Sequence, residues 1–308
     1  MNAKEPLTDG PWYWRLALFL VRNRYRGGWR VLAVADRIGL LNKVVRIPVP
    51  GGLTLDVPLY RKGNQWWDKS VVASYERPFV EALAAAAASL PRPVEFIDCG
   101  ADIGIISVLV AARFPHFRRV TAFEPNAEAA SLLRSNLGRL PMTAVPKNAA
   151  VSDFIGWARL DSDPRDRDDP AKFIVPDPGG EIPVERVDDL GILDCSVVLK
   201  IDVEGAEINV LRGALETLRR APAFAVGFEA HREVVARTGV DPTECIRLLQ
   251  SIRPVSIQVA EDPHASIDPQ RPFFDQVGGP NVYNVVCSAG GGTPPLPSNV
   301  RLETQTAG

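Results

Sequence analysis

A strand, a glycine turn and a helix follow one another without interruption near residue 94. Residues 94–97 form a mostly apolar run, which is typical of a strand buried on both faces of a parallel sheet. The run ends at Asp98, and Gly100 and Gly104 bracket the tight turn that follows. Residues 105–110 then give a helical pattern without Pro or Gly. This order predicts the first unit of a doubly wound α/β sheet, in which glycines let the backbone approach a ligand at the turn.

The next predicted strand ends in a carboxylate. Residues 119–123 form a short run before Glu124, which stands twenty residues after Gly104. A carboxylate in that position commonly holds the ribose hydroxyls of a nucleoside. The spacing Gly100-x-x-x-Gly104 differs from the dinucleotide fingerprint G-x-G-x-x-G. With Asp98 at the strand end it favours S-adenosylmethionine (SAM), because a cationic sulfonium and an amino acid favour nearby carboxylates.

The composition limits the class of protein and its partners. A chain of 308 residues with 46% hydrophobic and 23% charged residues is suited to a soluble globular fold. A net charge of -2 and a pI near 6.0 give no overall basic footprint, so nucleic acid is not expected as a partner. The four cysteines make no C-x-x-C pair. Neither a zinc site nor a disulfide framework is indicated, and a reducing cytoplasm is the expected location.

Residues 1–43 combine aromatic residues with arginine. Trp12 begins a predicted helix whose apolar surface is interrupted by Arg15 and, further on, by Arg22. Its apolar run is too short to span a bilayer. Two interpretations stay open. The helix lies on a membrane surface or binds a partner, or it packs against the main domain with its arginines in solvent.

A hairpin and a helix are expected between this segment and the glycine turn. Residues 44–60 alternate around Pro50-Gly51-Gly52, which predicts two antiparallel strands. A helix is predicted over residues 79–90. Tyr75 and Glu76, just before it, are candidates to fold over the cofactor. Alternatively they only begin the helix near a proline and complement its dipole.

Polar residues also stand near the end of the third predicted strand, in and just after residues 144–151. Asn148 and Ser152 are candidates to bond the edge of an adenine ring, or they are turn residues. The aspartate-rich residues 161–180 predict a solvated loop, either an active-site lid or a disordered insertion.

Two later strands complete a row of charged side chains. The apolar run 196–201 precedes Asp202, and a single helix is predicted over residues 208–219. The next strand, residues 223–228, is followed by Glu229 and His231. The carboxyl ends of parallel strands meet at one edge, where ligands bind in open α/β sheets. These side chains are therefore expected on the same rim as Asp98.

The assembled motifs resemble FkbM-type SAM-dependent methyltransferases. The resemblance covers residues 70–287, and the block from Leu199 to Glu207 (Leu-Lys-Ile-Asp-Val-Glu-Gly-Ala-Glu) is its most specific part. Asp102 departs from the Asn that the family often has there. The other matching segments are Tyr75-Glu76, Asp98 to Gly104, Phe123-Glu124-Pro125-Asn126, Asn148 to Ser152, Val184 to Leu190 and Glu229-Ala230-His231.

The resemblance implies a doubly wound, mostly parallel, seven-stranded Rossmann-like sheet with an N-terminal helical and hairpin extension. The expected divisions are an extension over residues 1–70, a methyltransferase domain over 71–288 and a disordered tail over 289–308. The resemblance and the charged residues at the strand ends together give the residues expected to contact SAM. These are Tyr75, Glu76, Asp98, Gly100, Asp102, Gly104, Glu124, Pro125, Asn126, Asn148, Ser152 and Asp202.

Methyl transfer to a hydroxyl needs a base or a metal ion to remove the proton. The catalytic candidates are Asp202, His231, Lys200 and Glu229. Asp202, Glu229 and His231 are also a candidate set for Mg²⁺, with His231 or Asp202 as the base. The competing interpretations are an Asp that caps a helix, a structural His, and a Lys200 that pairs with Asp98, Asp202 or Glu204.

The expected function is O-methylation of a small molecule, with a sugar, glycan or glycolipid as acceptor. One alternative is a nicotinamide-dependent oxidoreductase, although the absent third glycine counts against it. Another is a SAM-type fold without turnover that binds a membrane surface or a partner protein. The N-terminal helix motivates peripheral membrane contact in addition to a cytoplasmic location, and an oligomer stays open.

Overall fold

The computed structural model describes residues 11–23, 25, 28–61, 65–66, 69–162 and 172–290. The helices in these ranges are α1 (Trp12–Arg22), α2 (Gly28–Arg37), α3 (Lys69–Ser74), α4 (Arg77–Ser89), α5 (Ile105–Arg113), α6 (Ala127–Leu137), α7 (Glu207–Arg212), α8 (Leu215–Arg220), α9 (Arg232–Thr238) and α10 (Thr243–Gln250). The strands are β1 (Val44–Pro48), β2 (Thr54–Pro58), β3 (Tyr60–Arg61), β4 (Gln65–Trp66), β5 (Val94–Cys99), β6 (Phe117–Phe123), β7 (Thr143–Lys147), β8 (Ala150–Val151), β9 (Gly156–Ser162), β10 (Lys172–Pro176), β11 (Ile182–Glu185), β12 (Ser196–Ile201), β13 (Phe224–His231), β14 (Ser256–Val259) and β15 (Val282–Ala289).

A seven-stranded sheet forms the centre of the molecule, with the order β14-β15-β13-β12-β5-β6-β7. Strands β13, β12, β5, β6 and β7 run parallel, and β15 is antiparallel to both β13 and β14. Every residue of β5 and β12 is buried, as their apolar runs predict for central parallel strands. The predicted mostly parallel sheet is confirmed.

Side chains of the sheet alternate between two cores, because successive residues of a strand point to opposite faces. Val198 and Ala225 join a core with α4, α5 and α6. Leu199 and Val226 join a second core with α7, α8 and α10. The sheet is therefore covered by helices on both faces, and the doubly wound architecture is confirmed.

A second, four-stranded sheet has the order β10-β9-β11-β8 and was not predicted. Lys172–Pro176, inside the predicted loop 161–180, is a strand that pairs antiparallel with β9. This pairing joins segments that are separated in sequence, so local composition did not reveal it. Residues 163–171, the middle of the predicted loop 161–180, lie outside the described residues, and the lid interpretation stays a prediction.

The helix predicted over residues 208–219 is instead two helices, α7 and α8, separated at Gly213. A Cβ atom at Gly213 would lie 2.1 Å from the carbonyl oxygen of Ser152. The chain therefore packs backbone against backbone at this point, and the helical pattern is interrupted there. The local sequence pattern alone does not contain that contact.

The N-terminal helix prediction and the hairpin prediction are both confirmed, by α1 and by the pairing of β1 with β2. A second helix, α2, was not predicted. Trp14 of α1 is buried in the core, and the Tyr13 hydroxyl donates to the Leu40 carbonyl at 3.0 Å. No helix in the described ranges combines the length and the apolar character needed to cross a bilayer.

The hairpin is joined to the glycine turn through Asn136, a buried residue of α6. Its Oδ1 accepts from the Asp56 backbone N–H at 2.6 Å, and its Nδ2 donates to the Ile103 carbonyl at 2.7 Å. The Asp56 carboxylate in turn accepts from Arg46 at 2.7 Å and from Arg139 at 3.0 Å. One buried amide therefore connects the N-terminal hairpin with the candidate site.

Candidate active site

The glycine turn, residues 100–104, has a left-handed backbone at both of its glycines. Gly100 has φ +76°, and a Cβ there would lie 1.7 Å from the Asp202 carbonyl oxygen. Gly104 has φ +86°, and its Cβ would lie 2.8 Å from the Leu133 side chain. Only glycine fits such positions without strain. The glycines were expected to admit a ligand, but in this structure they bring the turn against the end of β12 and against α6.

A buried ion cluster lies directly below the turn. Lys200 Nζ donates to the Gly100 carbonyl at 2.6 Å and lies 3.1 Å from Asp98 Oδ1 and 3.4 Å from Asp202 Oδ2. The Ser107 hydroxyl donates to Asp98 Oδ2 at 2.6 Å. Lys200 and Asp98 are buried, whereas Asp202 is partly exposed. The predicted pairing of Lys200 with Asp98 and Asp202 is confirmed.

These pairs set the protonation state of Lys200. Burial alone lowers the pKa of its ammonium, but the charges of Asp98 and Asp202 outweigh that effect and raise the pKa above its ordinary value. A lysine with a raised pKa is a poor proton acceptor at neutral pH. Its contacts instead fix the position of Asp202 relative to the glycine turn.

Glu124 lies beside the glycine turn, as expected. Its Oε2 accepts from the Asp102 backbone N–H at 2.9 Å, and its Oε1 accepts from the Asn126 backbone N–H at 2.8 Å. Burial, together with the Asp102 charge, raises the pKa of Glu124 to about 7, although the two backbone hydrogen bonds lower it in part. The carboxylate thus closes the turn, and its ribose contact stays a prediction.

The other polar residues of this edge have structural contacts. Asn126 caps α6 by accepting from the N–H groups of Glu128 and Ala129. Asn148 donates to the carbonyl oxygens of Glu124 and Pro125 at 2.9 and 3.0 Å.

Ser152 is buried, and its N–H donates to the Glu185 carbonyl at 3.1 Å. The structure places Asn148 beside the glycine turn and Ser152 against Gly213. Their proposed contacts to adenine stay predictions.

Tyr75 and Glu76 lie at the start of α4 and face the same site. Glu76 has a left-handed backbone, with φ +40°. Burial, reinforced by the Asp202 charge, raises the pKa of Glu76 to about 7. Burial and the nearby charges of Glu76, Asp202 and Asp102 also raise the pKa of the Tyr75 hydroxyl. These shifts show that the α4 start belongs to the same electrostatic environment as Asp202.

Glu229 adds a further carboxylate. We call Asp98, Glu124, Asp202 and Glu229 the carboxylate rim. Burial raises the pKa of Glu229, and the neighbouring charges of Asp202 and Glu204 raise it further. A crowded, partly desolvated group of carboxylates favours a positively charged ligand.

His231 has a structural contact, as one of its two interpretations expected, and its use as the base stays a prediction. It is the N-cap of α9, and its Nδ1 accepts from the Glu233 N–H at 3.1 Å and from the Val234 N–H at 3.4 Å. A neutral imidazole that accepts at Nδ1 carries its proton on Nε2. His231 in this arrangement is a helix cap and a donor, which argues against its use as the base.

The predicted metal site is not built in this structure. In the part of the chain that the structure describes, no group of three His, Cys, Asp or Glu side chains could hold a metal ion. The His231 Nδ1 is already used for the helix cap. Mg²⁺ binding therefore has no support in the described residues.

Two residues that the sequence analysis did not assign to the site hold the loop after Asp202. The Glu207 carboxylate accepts from the N–H groups of Gly205 and Val203, at 2.9 and 3.3 Å. Arg237 donates to the Glu204 carbonyl at 2.6 Å, while its guanidinium lies over the Phe173 ring at 5.0 Å. An acidic residue in the first turn of a helix, such as Glu207, can be recognised from the sequence. The contact of Arg237 with Glu204 cannot, because the two residues are 33 positions apart.

The parallel sheet, the glycine turn and the carboxylate rim define the class of Rossmann-like methyltransferase folds. The model of the methyltransferase FkbM domain matches residues 98–251, which is half of the chain. The chain therefore belongs to the FkbM methyltransferase family, as its resemblance predicted.

Two curated relatives are also methyltransferases. Methyltransferase sdnD of Sordaria araneosa is 26% identical, over 42% of this chain and 63% of its own length. The hexuronic acid methyltransferase AglP of Haloferax volcanii is 27% identical, over 51% of this chain and 61% of its own length. The chain thus spans about three fifths of the length of these relatives.

Solved structures with partial similarity include one methyltransferase and one protein solved in complex with AdoMet. The methyltransferase FkbM of Methylobacillus flagellatus is 18% identical, with 66% of this chain and 47% of that chain covered and a TM-score of 0.40. The M. jannaschii protein TYW2, solved in complex with AdoMet, is 10% identical, with 80% and 84% covered and a TM-score of 0.38.

Proposed function

We propose that this chain is a SAM-dependent O-methyltransferase that acts on a hydroxyl group of a sugar or a related small molecule. The observation that carries the proposal is the carboxylate rim beside a glycine turn, in a chain of the FkbM methyltransferase family. When bound, SAM supplies a methyl group on a positively charged sulfur, and the transfer is an in-line displacement.

The charge of the site supports a cationic cofactor. The pKa values of both Glu76 and Glu124 are raised to about 7, chiefly by burial. A positive charge beside these groups would stabilise their ionised forms. We assign Glu124 to the ribose hydroxyls, with Tyr75 and Glu76 over the cofactor. Gly100 and Gly104 hold the turn, and Asn148 reaches towards the adenine.

We assign Glu229 to accept the proton of the acceptor hydroxyl. With SAM bound, the acceptor O–H bond would break and its proton would pass to a Glu229 oxygen. The acceptor oxygen would bond the methyl carbon while the carbon–sulfur bond breaks, and S-adenosylhomocysteine would leave as a neutral thioether. The cationic charge of the methyl donor and the negative charge of the carboxylate disappear in the same step. A sulfonium charge beside Glu229 would favour its ionised form, which can accept a proton. Burial and neighbouring carboxylates raise the pKa of Glu229. The carboxyl group therefore keeps the proton once the sulfonium charge is gone.

Asp202 and Lys200 position the reacting groups. Asp202 is held 3.4 Å from Lys200, which also bonds the Gly100 carbonyl. This pair therefore sets the distance between the ends of β5 and β12. Since the methyl transfer depends on alignment of donor and acceptor, such positioning accounts for much of the rate.

A hexuronic acid is the first acceptor class to test, because the relative AglP is named for it. The purified chain would be incubated with SAM and a hexuronic acid or a neutral hexose, and methylated products would be detected by mass spectrometry. A methyl ether survives mild alkali, whereas a methyl ester is cleaved. An alkali-labile product would contradict transfer to a hydroxyl.

The base assignment is tested with Glu229→Gln. We expect turnover to fall at least about a hundredfold, while calorimetry shows that S-adenosylhomocysteine still binds. The matched control is Glu233→Gln, which changes an exposed glutamate in the first turn of α9 and should leave turnover intact. Unchanged turnover in Glu229→Gln would move the base elsewhere.

A further inference from the structure

The outer faces of the first two helices are apolar. On α1, Trp12, Leu16 and Phe19 are exposed, and their spacing of three and four residues places them on one side of the helix. On α2, Val31 and Val34 are exposed in the same way, and Ile38 is exposed directly after the helix ends. Trp12 is 70% exposed and Ile38 is 64% exposed. Helix residues three or four apart are neighbours on one face.

The opposite faces of the same helices already cover the protein core. Trp14 of α1 is 2% exposed within that core, and Ala35 of α2 packs against it. A helix on the surface of a globular protein normally presents polar side chains outward. These two helices have apolar residues on both sides. Packing in the core explains the inner sides but does not explain why apolar side chains are exposed on the outer sides.

Arginines accompany the exposed apolar side chains. Arg15 is exposed on the same side of α1, and Arg30 and Arg37 are exposed on α2. Residues 11–43 contain seven Lys or Arg and one Asp, which gives a net charge of +6. The whole chain carries -2, so all its other residues together carry -8. The positive charge is thus concentrated on the segment that also exposes its apolar side chains.

We propose that this outer face binds the surface of an anionic lipid bilayer, with α1 and α2 lying in the plane of the interface. The outer face comprises two sets of residues: Trp12, Arg15, Leu16 and Phe19 of α1, and Arg30, Val31, Val34 and Arg37 of α2 with Ile38, which follows that helix. Apolar and aromatic side chains enter the boundary between headgroups and acyl chains, while arginines contact anionic headgroups.

The charge distinguishes a bilayer from the other possible occupants. Two copies of this chain joined through their outer faces would bring two segments of net charge +6 together, which is unfavourable. A nucleic acid would satisfy the arginines but would leave the exposed Trp12, Leu16 and Phe19 in water. An anionic bilayer satisfies both features at once. The proposal is independent of the reaction that the carboxylate rim performs.

The test is co-sedimentation of the full chain with vesicles of phosphatidylcholine alone or of phosphatidylcholine mixed with phosphatidylglycerol. We expect binding to the anionic vesicles, weaker binding to the neutral ones, and a decrease as salt is raised. Arg30→Gln combined with Arg37→Gln should weaken binding about fivefold for each arginine removed. Leu16→Ser combined with Phe19→Ser should weaken it about tenfold or more.

The matched control replaces two exposed apolar residues elsewhere, Ile155→Ser with Leu193→Ser, and should bind vesicles like the unchanged chain. Equal binding by the Leu16/Phe19 variant and this control would overturn the proposal, as would equal binding to both kinds of vesicle. Sedimentation velocity without lipid tests whether two copies of the chain associate through this face. Self-association that Leu16→Ser and Phe19→Ser abolish, without any vesicle binding, would also overturn it. Circular dichroism and thermal unfolding verify that each variant is folded.

Discussion

Charged side chains are buried and paired at the carboxylate rim, whereas they are exposed on the outer face of α1 and α2. At the rim, Lys200 is buried and lies 3.1 Å from a buried Asp98. On the outer face, Arg15 and Arg30 are exposed beside apolar side chains. Burying a charge is costly unless it is paired, whereas an exposed charge costs the folded state little. Substitutions should therefore damage stability at the rim and leave it nearly unchanged on the outer face.

The largest effect is expected for Lys200→Met. This change leaves the Asp98 carboxylate buried without its cation, which should cost about 4 kcal/mol of unfolding free energy. Urea unfolding measures the loss. The control is Arg219→Met, which removes an exposed partner of Glu216 and should cost less than about 1 kcal/mol. Equal losses in the two variants would contradict the distinction between the buried and exposed pairs.

Gly100→Ala and Gly39→Ala compare two glycines of similar φ in the two regions. Gly100 has φ +76° and would place a Cβ 1.7 Å from the Asp202 carbonyl, whereas Gly39 has φ +73° and open space around it. We expect losses of about 3 kcal/mol at Gly100 and about 1 kcal/mol at Gly39. Thermal unfolding provides both values. A similar loss at the two sites would show that the close approach at Gly100 relaxes.

Glu124 of the rim and the nearby Glu76 should also make stability depend on pH. The pKa values of Glu76 and Glu124 rise from 4.5 to about 7 on folding, mainly through burial. The folded state therefore binds more protons than the unfolded state between these values, and stability should fall as pH rises from 4.5 to 7. Each group should contribute about 3 kcal/mol to this loss of stability.

Urea unfolding at a series of pH values checks this dependence. Glu76→Gln combined with Glu124→Gln should flatten the profile, because amides do not titrate. Glu233→Gln, on the exposed first turn of α9, serves as the control and should keep the slope. A profile that rises with pH in the unchanged chain would contradict the raised pKa values.

A smaller effect is expected at His231. His231→Ala removes the acceptor of two backbone N–H groups at the start of α9 and should cost about 1 kcal/mol. His231→Asn keeps an N-cap acceptor and should retain most of that stability as well as turnover. Loss of turnover in a stable His231→Asn enzyme that still binds S-adenosylhomocysteine would restore the base role that the sequence suggested.

The smallest effect is expected on the outer face. Leu16→Ser combined with Phe19→Ser exchanges two exposed side chains and should change the free energy of unfolding by no more than about 0.5 kcal/mol. Chemical unfolding without lipid measures it. A large loss would show that these residues contribute to folding rather than to binding, and it would remove the contrast between the two regions.

Local patterns were sufficient for the central sheet and its rim. The apolar run before Asp98, the glycines after it and the acidic strand ends each have a short-range signature. Because the ends of parallel strands converge at one edge, such signatures also predicted which side chains meet. The pairing of Lys200 with Asp98 and Asp202 is the best example.

Contacts between distant segments were the part that the sequence did not reveal. The interruption at Gly213 depends on the Ser152 carbonyl, and the second sheet depends on the pairing of β8 with β11. One interpretation made His231 a base because of its place at a strand end, but α9 begins at the next residue and takes up its Nδ1. Glu233, an acidic residue in the first turn of α9, could have predicted that a helix starts there.

The amide of Asn136 has a consequence for how the molecule unfolds. Its side chain bonds Asp56 in the hairpin and Ile103 in the glycine turn, so neither segment can open without leaving a buried polar group unsatisfied. The hairpin and the turn should consequently open as one cooperative unit, with similar protection of their amides from hydrogen exchange. The hairpin of β1 and β2 therefore supports the active site through Asn136, and removing the hairpin would loosen the glycine turn itself.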